Sequence, residues 1–101
     1  MRAVLILASA LALLSFQVEA ASPYAGQNKV AGSCAQCHGM RVPAEGSLFP
    51  KLSGRDPAYL KTALKQYRDK TRVSELMNAI AGSLSDDDIN DIVSYYSSVK
   101  P

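Results

Sequence analysis

The only two cysteines and the only histidine of this 101-residue chain fall within five consecutive positions, Cys34-Ala35-Gln36-Cys37-His38. No other feature restricts the fold so strongly. Two thiols three positions apart lie on one side of a helical turn. The Cys-x-x-Cys-His run is the attachment signature of haem c. At this spacing Cys34 and Cys37 reach the two vinyl groups of one porphyrin as thioethers. The imidazole of His38 then comes under the ring as the proximal iron ligand.

Rival uses of a Cys-x-x-Cys pair fit less well. A redox disulfide expects a βαβ setting, and no alternating strand pattern surrounds the motif. Structural zinc wants four ligands, usually with a second Cys/His pair elsewhere, and the chain has none. A plain disulfide across three residues would close a tiny loop and add little stability. One covalent haem c is therefore expected.

The ligand on the other side of the iron would be His or Met. The single histidine is used, which leaves Met1, Met40 and Met77. Met1 departs with the leader described next, and Met40 is too near His38 to straddle the ring. Met77 lies 39 positions after His38, far enough for the chain to wrap round the porphyrin. Met77 is thus the expected axial partner, against the alternatives of a packing methionine and a five-coordinate, open iron.

Residues 1–20 read as an address. Arg2 supplies a positive start, an apolar run interrupted by serine extends to Phe16, and small residues Val18 and Ala20 precede a cut before Ala21. This is the pattern of a cleavable secretory signal, and the run is short for a membrane span. The expected product is an exported, periplasmic domain of residues 21–101 without stable membrane insertion. Its size allows a modest core, so a staple or cofactor is welcome. A net charge of +2 gives nucleic-acid binding little support, and none is expected.

Punctuation along the chain predicts an all-α fold of about four short helices. An early helix over residues 27–35 carries Val30 and Cys34 on one side. Residues 39–54, with Pro43, Gly46, Pro50 and Gly54, read as an irregular loop along the haem edge. There Leu48, Phe49 and Leu52 are expected to give apolar cover. A proline carbonyl, Pro50 foremost, could accept the Nδ1 proton of His38 and fix the ring, or Pro50 could simply form a turn. Asp56-Pro57 starts a helix as N-cap and N1, with Leu60, Ala63, Leu64 and Tyr67 as its apolar stripe. Residues 73–81 form a short element with Met77 and Ile80. Ser85 and Asp88 make a capping box for a last helix, whose stripe is Ile89, Ile92, Val93 and Tyr96. The acids Asp86, Asp87 and Asp88 are read as helix-start residues rather than a calcium site.

Taken together, Cys34-Ala35-Gln36-Cys37-His38-Gly39, Phe49-Pro50-Lys51-Leu52-Ser53-Gly54, Tyr59-Leu60, Tyr67-Arg68-Asp69, Met77 and Leu84-Ser85-Asp86 with Tyr95-Tyr96 resemble a small bacterial class I cytochrome c. The likeness is to the single-haem periplasmic type or to one half of the two-haem type, and it covers the mature chain. It implies the cytochrome c fold, His38 and Met77 as the axial pair, and single-electron transfer. Arg55 departs from the pattern, because relatives often carry Gln there.

The function expected is that of a diffusible electron carrier between redox partners, with no enzymatic chemistry of its own. The alternative is the cytochrome subunit of a larger periplasmic oxidoreductase such as a dehydrogenase. Seven basic residues lie between positions 51 and 72, and five acids with no base between 75 and 91. This suggests a dipolar molecule steered onto acidic docking surfaces, or else solvated helix faces.

Overall fold

The computed structural model describes residues 21–101. The signal peptide expected over residues 1–20 lies outside the described residues. Among the described residues there are five helices and no strand: α1 (Pro23–Ser33), α2 (Ala35–His38), α3 (Pro57–Asp69), α4 (Glu75–Gly82) and α5 (Asp86–Ser98). None is long and apolar enough to cross a membrane. The all-α expectation holds, with one helix more than anticipated because the Cys-x-x-Cys-His turn is a separate element.

Local chemistry sets each boundary. Ser22 caps α1 by accepting from Ala25 N, and Pro23 occupies the first turn, where its missing N–H costs nothing. This helix therefore starts four residues ahead of the predicted one. It stops at Cys34, which caps it, and α2 follows as one more turn. Gly39 ends α2 at φ +72, and a Cβ there would stand 1.8 Å from Val42 O, so only glycine fits. Asp56 and Pro57 open α3 as predicted. Ser74 caps α4 by accepting from Met77 N. The capping box of Ser85 and Asp88 opens α5 with both bonds present.

The core lies where α5 crosses α1 and α3. Val30 from α1, Leu60 from α3, and Ile89, Ile92, Val93 and Tyr96 from α5 are all buried. Each such aliphatic side chain contributes on the order of 1.5–3 kcal/mol by leaving water. The α1–α5 crossing is close because Gly26 has no side chain. A Cβ at Gly26 would meet Asp91 O at 2.0 Å and Tyr95 Cβ at 2.8 Å. Ions tie the same pair of helices: Lys29 Nζ sits 2.8 Å from Asp88 and 2.7 Å from Asp91. That ammonium holds both carboxyls below the ordinary aspartate value.

Position 26 should thus be intolerant of even one methyl group. Gly26→Ala is expected to lower stability by ~1–3 kcal/mol, the usual cost of overpacking a tight contact. Chemical denaturation of the holoprotein reads this directly, and an unchanged midpoint would contradict the close crossing.

Candidate functional site: an apolar cavity around the Cys-x-x-Cys-His turn

Helices α2 to α5 and the loop between α2 and α3 surround a cavity of about 400 Å³. That volume falls in the range of cofactor and small-molecule sites. Leu52, Leu60, Leu64, Ile80, Ile92 and Val93 give it apolar walls. Leu64 and Tyr67 of the predicted α3 stripe are only half-buried because they face this space rather than another helix.

All five sequence-predicted site residues, Cys34, Cys37, His38, Pro50 and Met77, line this one cavity. The cysteines come from the α1–α2 junction, His38 from the end of α2, Pro50 from the loop and Met77 from α4. The two cysteines are not joined in a disulfide. Burial pushes the Cys34 thiol up to about 11, which suits a neutral thiol and disfavours the thiolate that disulfide exchange or zinc binding requires.

The His38 ring is fixed on two sides. Its Nδ1 lies 2.8 Å from Pro50 O. A carbonyl only accepts, so Nδ1 carries the proton, and in the neutral ring Nε2 is the nitrogen with a lone pair. Phe49 meets the imidazole edge to face, with centroids 6.0 Å apart. A buried imidazole with one nitrogen committed to a carbonyl is the usual arrangement of a metal-binding histidine.

The loop after His38 is held by α5. Tyr96 Oη donates to Gly39 O at 2.8 Å and Tyr95 Oη to Met40 O at 2.9 Å. Ser53, itself buried, donates to Arg41 O. Three successive carbonyls are thereby satisfied by side-chain hydroxyls. Met40 points away from the cavity and packs against the core.

One expectation changes. Leu48 was expected to cover the cavity with Phe49 and Leu52, yet it is fully exposed and does not line it. Among the described residues, the basic and acidic stretches of the chain meet at one ion pair. Arg68 Nη2 on α3 is 2.8 Å from Asp86 at the start of α5, and Lys65 and Lys61 add their field there.

Asn78 escaped the sequence reading. Its Nδ2 donates to Tyr67 O at 2.7 Å and to Arg72 O at 2.9 Å, while its Oδ1 accepts from Ser74 N at 3.0 Å. One amide thus staples the α3–α4 turn to the helix that bears Met77. Its only signal in the sequence is a polar residue set between Met77 and the apolar Ala79-Ile80 pair. Arg55, Tyr59 and Arg72 also line the cavity without having been picked out as site residues.

The family profile described as cytochrome C oxidase, cbb3-type, subunit III matches residues 21–95. Cytochrome c-554(548) of Halomonas halodenitrificans is 42% identical over 77 residues, covering 73% of this chain and 92% of that relative. A cytochrome c4 of Thiocapsa roseopersicina is 34% identical over 74 residues, covering 73% of this chain and 38% of its own length. A thiosulfate dehydrogenase electron acceptor of Stutzerimonas stutzeri is 37% identical over 86 residues, covering 77% and 39%. The chain thus spans nearly all of the first relative and less than two fifths of the other two. It belongs to the cytochrome c family, electron carriers whose cofactor is covalently bound haem c.

Removing the Asn78 side chain leaves two carbonyls and an N–H of the α3–α4 turn without their partner. Asn78→Ala is expected to cost ~1–3 kcal/mol, and Asn78→Asp more, because a carboxylate would face the carbonyls of Tyr67 and Arg72. Denaturation midpoints in the order parent, Ala, Asp would establish this.

Proposed function

We propose that the chain carries a single haem, bound as thioethers by Cys34 and Cys37, with His38 Nε2 and Met77 Sδ as axial ligands. The observation that carries this reading is the convergence of both thiols, the oriented imidazole and the Met77 thioether on one apolar cavity. When bound, such a haem supplies a one-electron couple at iron. The chain's residues do the rest. Pro50 O holds the Nδ1 proton of His38 and so makes Nε2 the donor atom. Leu52, Leu64 and Ile80 would turn apolar side chains to the bound group and limit its contact with water. A thioether ligand and apolar walls both favour the reduced state and raise the potential. With both axial positions filled by protein there is no place for a substrate, which suits a carrier rather than an enzyme.

Residues 1–20 carry the features of a cleavable export signal, so the working compartment on this reading is the periplasm. Lys51, Lys61 and Lys70 are exposed and form no ion pair among the described residues. They offer positive charge to acidic surfaces of redox partners. A second reading, as the cytochrome subunit of a larger oxidoreductase, is favoured by the similarity to cbb3-type oxidase subunit III and to the thiosulfate dehydrogenase electron acceptor. Sedimentation of the native preparation separates the two: a carrier runs as a small free species, a subunit with its catalytic companion.

The axial assignment predicts a ferric spectrum with the long-wavelength Met–iron charge-transfer band. Met77→Ala should abolish the band and open the iron to added ligands, whereas an unchanged spectrum would remove Met77 from the site. For partner docking, electron-transfer rates should fall as ionic strength rises. Rates that stay constant would dismiss the lysines as a steering surface.

A further inference from the structure

The helix that carries Met77 has few anchors of its own. In α4 only Ala81 is buried; Glu75, Leu76, Ala79 and Gly82 are exposed, and Met77, Asn78 and Ile80 are half-buried. A helix of eight residues is marginal in water by itself, so tertiary contacts decide where it lies. Among the described residues, the hydrogen bonds that run from α4 to α3 and to the turn after it both start at Asn78 Nδ2, donated to Tyr67 O at 2.7 Å and to Arg72 O at 2.9 Å. Glu75 forms no ion pair among them. At the far end Arg68 Nη1 donates to Leu84 O at 3.3 Å, beyond the last residue of α4.

The same residue also closes the first turn of the helix. Asn78 Oδ1 accepts from Ser74 N at 3.0 Å, Asn78 N donates to Ser74 O at 2.7 Å, and Ser74 Oγ accepts from Met77 N at 3.3 Å. Both amide protons and the amide oxygen of the Asn78 side chain are thus committed to backbone. Its acceptors are a carbonyl in the last turn of α3 and one in the following turn, places where helical partners run out. Ser74, Met77 and Ile80 line the cavity, and Asn78 does not. Asn78 therefore acts on the cavity only through the placement of α4.

We propose that Asn78 is a positioning residue for the axial site: it latches the start of α4 to the end of α3, and its release is the step by which Met77 gives way to a competing ligand. The inference rests on Met77 being the axial ligand, as read above. The reason is space. Met77 and Ile80 are three positions apart and lie on one face of α4. Once the cavity is filled its walls are close-packed, and a ligand as large as imidazole needs the room that these two side chains take. That room opens when the start of α4 swings away from α3, which breaks both Nδ2 bonds. The closed iron of a carrier is then conditional on one side-chain amide.

Imidazole titration of the ferric holoprotein tests this. The open form alone binds, so the apparent affinity is the intrinsic one scaled by the open fraction. Asn78→Ala should keep the Met–iron charge-transfer band in the absence of imidazole and bind imidazole about tenfold more tightly, the factor that one net hydrogen bond is worth. Gly26→Ala is the comparison, because it loosens the α1–α5 crossing and touches nothing on α4. Its affinity should match the parent's. An Asn78→Ala protein with the parent's affinity overturns the proposal. So does a Gly26→Ala protein whose affinity rises as much, since general loosening is then the cause.

If Asn78→Ala does not retain haem, nuclear magnetic resonance of the parent decides. The two Nδ2 protons of Asn78 should exchange slowly with solvent in the ferric protein and freely once imidazole is bound. Equal exchange in the two states would mean that Met77 leaves by rotating its own side chain, and would refute the latch. Failure of the axial reading looks different: the parent then lacks the charge-transfer band before any imidazole is added.

Discussion

An apolar cavity that the helices cannot close by themselves governs this structure. The α1–α5–α3 core is conventional, with Val30, Leu60, Ile89, Ile92 and Tyr96 buried against one another. On the other side of α3 and α5 the facing side chains, Leu64, Tyr67, Met77 and Ile80, meet across about 400 Å³ of space. Apolar walls of this kind gain stability when a bound apolar group removes them from water. The fold and the cofactor are thus one problem. On the proposed reading a domain this small would gain its second core by wrapping an apolar ring, and attachment at Cys34 and Cys37 would make that core permanent.

The order of elements serves the same end. Cys34 ends α1 and begins the turn of α2, so the thiols are presented at a helix junction packed on α5. The chain then reverses at Gly39, whose carbonyl is held by Tyr96, and Pro50 returns to meet the imidazole. Tyr96 lies in the core, and burial raises its phenol well above the ordinary value, so it stays a neutral donor. His38 is in this way oriented by residues 12 and 58 positions further along the chain. Met77 is placed by different means, through the Ser74 cap and the three bonds of Asn78.

Signals carried by short spacings were legible in the sequence. The Cys-x-x-Cys-His turn, the Asp56-Pro57 start and the Ser85–Asp88 capping box each involve residues within a few positions, and each appears as expected. The start of α1 was legible too, in Ser22-Pro23, but two glycines in the following helix weaken its pattern. Gly26 reads locally as a flaw in a helix, while its purpose is contact with Asp91, 65 positions away. Asn78, Tyr95 and Arg72 were hidden for the same reason. Their partners are distant carbonyls or ring faces, and no periodicity reports those.

Charge shows most clearly how sequence and space diverge. The basic stretch of residues 51–72 and the acidic stretch of 75–91 look like two poles when written in a line. Folding brings α5 beside α3, and Arg68 then pairs with Asp86 while Lys29 bridges Asp88 and Asp91. Two groups of basic residues without an ion pair among the described residues differ in their surroundings. Lys51, Lys61 and Lys70 face open solvent, where salt screens them and attraction to a partner is brief. Arg55 and Arg72 stand against aromatic rings beside an apolar cavity, where the local dielectric is lower and a fixed anion is held strongly.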